Sequence, residues 1–250
     1  MLSKTFKYIL VVIAMVFTVG CGPDHHKNDN PDVPALDHDL VLDGVDDRAE
    51  ADTSIFPNST TVHSFTVEAW IYPTAAGSYI ATDDAYDLIL YYDPNPGVAN
   101  NGVGITFKLY NLCNSSIART EYRDVKLNQW NHVAGMYDAS AKQFWLSING
   151  NLSSSPGDFP ADTFCNDSNF HFTVGGFYGS NDETFQGSID EFRVSDNVRY
   201  DIDFTPLNSF TPDTNTKGLW DFDESPGSTS FFDSSGNGNT LTGVNGAQNN

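Results

Sequence analysis

From Phe65 to Tyr72 the chain alternates without interruption, with Phe65, Val67, Ala69 and Ile71 on one side and Thr66, Glu68, Trp70 and Tyr72 on the other. A period of two belongs to an extended strand, whose successive side chains leave opposite faces. Pro73 closes the run. Trp70 and Tyr72 make the second face too apolar for open water, so this strand is expected to be covered on both sides or to line a groove. The same pattern recurs along the chain: Tyr79 to Thr82, Tyr86 to Tyr92, Val103 to Tyr110, Trp130 to Asp138 and Lys142 to Asn149 each read as strands between turn residues. Asn149-Gly150 is a strong tight-turn signal. No amphipathic stretch of helical length occurs after Leu36. A dozen or so short strands without helices predict an all-β fold, an antiparallel two-sheet β-sandwich or jelly roll formed as one domain.

The segment Gly187 to Ser195, GSIDEFRVS, breaks the period. Ile189, Phe192 and Val194 read as core positions, and the spacing of three between the first two predicts one extra residue, a β-bulge, at Asp190-Glu191. A bulge re-aims a side chain, here a carboxylate. A second acidic knot, Asp43-Gly44-Val45-Asp46-Asp47, lies far upstream. Brought together, the two would make an oxygen-rich site suited to Ca²⁺; kept apart, both are solvated turns.

The first 20 residues do not belong to this domain. Lys4 and Lys7 precede an apolar run from Tyr8 to Val19, too short for a comfortable span, which reads as a secretory signal. It ends in Thr18-Val19-Gly20-Cys21, and a small residue directly before a cysteine resembles the bacterial lipoprotein signal. That resemblance implies acylation at Cys21, an anchor rather than a span. Thr18 stands where such signals usually carry Leu, which leaves ordinary cleavage near this point open. Gly22, rather than Asp, after the cysteine implies outer-membrane or surface display. Residues 21–35, rich in Pro, Asn and Asp, read as a disordered tether, and residues 36–250 as the folded domain. Cys113 and Cys165 then remain as a pair. In an exported protein they suggest one disulfide, closing a loop of about 50 residues worth about 4 kcal/mol; the alternative is two free, buried thiols.

The whole chain carries 12 basic and 33 acidic residues, a net charge of −21. Without the two leader lysines the mature chain stands at −23. Such a field repels nucleic acid and favours cations.

Seven blocks then fall in a familiar order: LVLDGVDD from Leu40, FTVEAWIYP from Phe65, WNHVAGMYD from Trp130, FWLSINGNL from Phe144, FTVGGF from Phe172, GSIDEFRVS, and GLWDFDE with DSSGNGN. Together they resemble the laminin-G-like, concanavalin A-like jelly rolls of bacterial surface and secreted proteins. The resemblance implies two curved antiparallel sheets whose chain ends meet on one side. It also implies a structural Ca²⁺ between the LDG turn and the IDE strand, carried here by Asp43, Asp47 and Asp190.

For function the resemblance implies a carbohydrate- or protein-binding module for adhesion or recognition, with a structural part in a surface assembly as the alternative. Exposed aromatic rings would be its contacts, and Tyr91, Tyr92, Tyr110, Trp145 and Tyr178 are the candidates. The same fold hosts glycoside hydrolases, whose signature sets two Glu about one Asp on a strand. No Glu-x-Asp-x-Glu or Glu-x-Asp-x-x-Glu occurs, and Asp221-Phe222-Asp223-Glu224 lacks the leading Glu, so a binding module rather than an enzyme is expected, with a glycan-cleaving enzyme as the lesser alternative. His132 and His171 fall within predicted strands and read as structural.

Overall fold

A computed structural model describes residues 38–51, 55, 63–75, 77–83, 89–93, 103–111, 116–153, 157–158 and 171–250; for 89–93, 110–111 and 116–124 it describes the backbone alone. The strands run in chain order as β1 (Leu40–Asp43), β2 (Arg48–Glu50), β3 (Phe65–Pro73), β4 (Tyr79–Asp83), β5 (Ile89–Asp93) and β6 (Val103–Asn111). There follow β7 (Ser116–Val125), β8 (Asn131–Asp138), β9 (Gln143–Ile148), β10 (Asn151–Leu152), β11 (Gly157–Asp158) and β12 (Phe172–Val174). The last are β13 (Gln186–Ser195), β14 (Thr216–Trp220), β15 (Ser230–Phe231), β16 (Leu241–Val244) and β17 (Gln248–Asn249). No helix occurs among the described residues.

One sheet runs β10-β9-β8-β3-β13-β1-β17, with β11 beside β9 and β14 beside β13. The other runs β15-β16-β2-β12-β4-β5-β6-β7. Every strand pairing within each sheet is antiparallel. The core lies between the sheets and follows the alternation. Phe65, Val67, Ala69 and Ile71 of β3 are all buried there, with Ile105, Phe107 and Leu109 of β6 among the residues they join. Gly135 of β8 has a packing reason: a Cβ there would stand 2.8 Å from the Phe107 ring, so the bare backbone lets that ring lie close. Asn149 and Gly150, at φ 51° and 80°, make the tight turn between β9 and β10.

The bulge in β13 is present. Asp190 opposes Trp70 and Arg193 opposes Glu68, so three residues of β13 span two of β3. Glu191 absorbs the extra length in a left-handed conformation, φ 49°. Ile189 and Phe192 can then both point inward and are fully buried.

The outer face of β3 is covered, as its apolar second side requires. Residues 196–213 cross it as an irregular strap. Trp70 Nε1 donates to Leu207 O at 3.0 Å, Thr66 Oγ1 to Asn197 O at 2.7 Å, and Trp145 Nε1 to Tyr200 O at 3.2 Å. The re-aimed carboxylate of the bulge serves this strap too, since Glu191 Oε2 accepts from Phe210 N at 2.7 Å.

Candidate functional site

In the turn after β1, Asp43 Oδ1 accepts from Val45 N at 2.8 Å, and Asp43 N donates to Asp47 Oδ2 at 3.0 Å. Asp43, Asp46 and Asp47 thereby each offer a carboxylate oxygen within 4.8 Å of the others. Asp47 is 5% exposed, and its Oδ1 finds no partner among the described residues. Burial pushes its carboxyl above the ordinary range, and the neighbouring Asp43 and Asp46 charges add to this. Hard, crowded, under-neutralised oxygens are the donor set that Ca²⁺ accepts, so these residues fit that ion. Arg48 ties the turn to the loop after β12: its guanidinium donates to Ser180 O and Asn181 Oδ1, both at 3.2 Å.

Asp190 does not join this turn, and the expected set of Asp43, Asp47 and Asp190 does not form a single site. Leu40 opposes Ile189 and Asp43 opposes Gln186, which puts Asp43 four residues along the ladder from Asp190. That is about 13 Å at the usual rise of a strand. Asp190 lies instead 2% exposed, its Oδ1 accepting from Glu191 N at 2.7 Å. Burial raises its carboxyl well above the ordinary range, and the charges of Glu191, Asp39 and Asp223 raise it further. The third neighbour of Asp43 and Asp47 is Asp46, a member of the acidic knot that the sequence expectation left out of the site.

Beneath the strap lies a buried ionic cluster. Glu68 is fully buried and accepts from Arg193 Nε at 2.8 Å and from Tyr200 Oη at 2.8 Å, while His132 Nε2 stands 3.2 Å from it. Burial alone would raise the Glu68 carboxyl; the His132 and Arg193 contacts outweigh it and hold the group below its ordinary value. Burial and the Glu68 charge push the Tyr200 hydroxyl up. The Arg193 guanidinium also sits 4.0 Å from the centre of the Phe210 ring. His132 is therefore structural, as its place in a strand suggested.

Of the five aromatic candidates, the structure describes the side chains of two. Trp145 is half-buried, its indole nitrogen fixed by Tyr200 O, and it lines a cleft of about 230 Å³ with Gln143, Leu152, Ser153 and Asp201. Tyr178 is half-buried and stacked on His171, with centroids 3.6 Å apart and planes 2° from parallel. Nearby in the chain, Phe177 is 37% exposed and packs on Tyr79 at 6.0 Å. Tyr91 opposes Tyr79 and Thr106, Tyr92 opposes Ile105, and Tyr110 opposes Ile117, but those three side chains lie outside the described residues. Cys21, Cys113 and Cys165, with the leader and tether, lie outside them too.

Two antiparallel sheets packed face to face about a shared core define an all-β sandwich of the jelly-roll class. The chain belongs to the concanavalin A-like lectin/glucanases superfamily: residues 43–201 match its laminin-G-like family model. Among curated proteins none matches the chain significantly. Among solved structures the chain is similar to a protein of Bacteroides ovatus ATCC 8483, provisionally described as carbohydrate-binding. The TM-score is 0.63 at 20% identity, covering 85% of this chain and 59% of that one. The chain thus spans less than two thirds of that protein. It is also similar to the CBM40 domain of the Ruminococcus gnavus IT-sialidase, bound there to α2,3-sialyllactose, at a TM-score of 0.48 and 20% identity, covering 66% of this chain and 94% of that domain.

Proposed function

We propose that this chain is a carbohydrate-binding module displayed at the bacterial surface through a lipidated Cys21, its sandwich stabilised by Ca²⁺ at the Asp43-Asp46-Asp47 turn. The observation that carries the binding reading is the Trp145 cleft. An aromatic ring held in place by its own hydrogen bond presents an apolar plane, and the amide of Gln143, the hydroxyl of Ser153 and the carboxylate of Asp201 line the same space. A sugar ring offers the matching pair of surfaces, a C–H face and a hydroxyl edge. The lectin-type family and the B. ovatus neighbour support the same class of ligand.

Binding rather than cleavage is favoured by how the nearest approximation to a catalytic triplet is used. Asp221 accepts from Ser234 Oγ at 2.6 Å and Glu224 from Phe232 N at 2.7 Å, so both serve the local turns. The calcium reading is supported by the three converging carboxylates and the unpartnered Asp47 Oδ1. The anchor reading is supported by the leader and cysteine alone.

A glycan array probed with the wild-type chain and with Trp145→Ala tests the reading. Glycan capture by the wild type and at least a tenfold loss in the variant are expected, because removing a central aromatic contact typically costs 2 kcal/mol or more. Silence across the array, with capture of a surface protein, would replace carbohydrate by protein as the ligand. For the anchor, fatty-acid labelling of the expressed chain that disappears in Cys21→Ala is the expected result; labelling that persists would refute acylation there.

A further inference from the structure

The groups around Trp145 differ in what they still have to offer a ligand. The indole N–H is committed to Tyr200 O at 3.2 Å, and the backbone N–H groups of Leu152 and Ser153 to Asp203 Oδ1 at 2.9 Å and Leu146 O at 2.7 Å. Ser153 Oγ accepts from Leu146 N at 3.3 Å, which leaves its hydroxyl proton to donate. Gln143 Nε2 reaches Asp158 Oδ1 only at 3.4 Å. Asp201 is the uncommitted member. It lines the cleft, is exposed, and neither accepts a hydrogen bond from any described residue nor pairs with a cation among them. An ionised carboxylate is an acceptor at both oxygens and a donor at neither, so whatever it binds must bring the donors.

The backbone that carries Asp201 is tied on both sides. Tyr200, directly before it, is held at its carbonyl by Trp145 and at its hydroxyl by Glu68, the latter at 2.8 Å. Beyond it, Asp203 accepts from Leu152 N, Phe204 N donates to Gly150 O at 2.9 Å, and the Tyr200 and Phe204 rings stack with centroids 3.5 Å apart. Indole and carboxylate thus share the cleft on a backbone that binding need not order.

The charge around them has one sign. Asp158 and Asp203 each bond a residue that lines the cleft, and no Lys or Arg is among the described lining residues. From Gln143 to Phe192, and again from Tyr200 to Thr216, the sequence carries neither. Lys142 precedes Gln143 but does not line the cleft, and the Arg199 guanidinium is engaged by Asp213 at 2.9 and 3.0 Å. A second carboxylate or a sulfate brought here would meet like charge with no cation to offset it. A sugar diol would instead bring two O–H donors, one for each oxygen, in hydrogen bonds strengthened by the charge of the acceptor.

We infer that Asp201 sets the specificity of the Trp145 cleft: the ligand is a non-acidic sugar unit whose neighbouring hydroxyls donate to this carboxylate while its C–H face lies on the indole, and acidic sugars are excluded. Selection by Asp201 rests on the carbohydrate reading above and adds to it the charge class of the glycan.

The test uses the full-length chain at pH 7 and matched oligosaccharide pairs: oligomers of glucose, mannose and galactose, and the corresponding uronate oligomers, in which a carboxylate replaces the hydroxymethyl group. Calorimetry reads binding to the wild type, Asp201→Asn and Trp145→Ala. The wild type should bind at least one neutral oligomer and take its acidic partner about tenfold more weakly or worse. Asp201→Asn keeps the shape but only neutral hydrogen bonds, so it should lose about tenfold for the neutral oligomer and bring the pair within about threefold of each other. Its melting temperature should hold, and a fall would make the carboxylate structural and overturn the assignment. Equal or tighter binding of the acidic partner by the wild type would overturn it too, as would a variant that keeps wild-type affinity or weakens both partners alike. In each of these cases a loss of binding in Trp145→Ala leaves the carbohydrate reading standing. Glycan binding that Trp145→Ala does not weaken would remove the cleft and Asp201 with it, and no glycan bound by any form would end both readings.

Discussion

Glu68→Gln is the sharpest test of how the strap is held. The substitution keeps the shape of the side chain and removes its charge, leaving the buried Arg193 guanidinium without its anion. Arg193 approaches Glu68 at 2.6 Å through one nitrogen and 2.8 Å through another, and both side chains are almost wholly enclosed. Breaking a buried pair from one side typically costs 3–5 kcal/mol, and the glutamine amide still accepts one neutral bond, so a loss of about 3 kcal/mol is expected. For a domain of this size that lowers the melting temperature by about 6–12 °C. Urea unfolding and calorimetry at pH 7 would measure it. Glu68→Leu paired with Arg193→Met should recover much of the loss, since apolar replacement of a whole buried pair is often neutral. A Glu68→Gln variant within about 1 kcal/mol of the wild type would refute the reasoning, because it would mean the cluster is solvated or dispensable.

Other outcomes follow from the same coordinates. The Glu68 carboxyl sits below its ordinary value, so its contribution is present above pH 4.5 and lost as pH falls through the lower folded value. Stability should therefore decline on acidification more steeply in the wild type than in Glu68→Gln, as read by urea midpoints between about pH 3 and 7. Gly150→Ala would set a Cβ 1.8 Å from Phe204 O at φ 80° and should cost about 2 kcal/mol or more by urea unfolding, whereas a loss under about 1 kcal/mol would show the strap free to shift. Chelation should lower the melting temperature of the wild type and leave that of Asp47→Asn unchanged, since an ion bound only by the native state stabilises it by mass action. An identical melting curve for the wild type with and without chelator would remove calcium from the turn.

Much of the architecture was legible because it is local. The alternation of β3, the Asn149-Gly150 turn and the three-residue step from Ile189 to Phe192 each follow from backbone periodicity, and each stands where the period places it. Ser116–Val125 was not read as a strand, since its alternate Arg119, Glu121 and Arg123 lack the apolar signal that marks one. The site was less legible because it depends on register between distant segments. Nothing near Asp190 in the sequence says that β1 pairs so as to bring Gln186, rather than Asp190, opposite Asp43. The strap was equally silent: residues 196–213 have no period, and their role shows only in the bonds that Trp70, Trp145 and Glu191 make to them.

The pairing of β17 with β1 brings His38 Nδ1 within 3.1 Å of Asn250 O. Whatever is spliced before the first strand or behind the last leaves from the same corner, so both attachments would share one hem of the body. A reporter fused behind Asn250 would stand beside whatever precedes His38 rather than at the far perimeter, and a circular permutant closed across that corner would need only a few added residues.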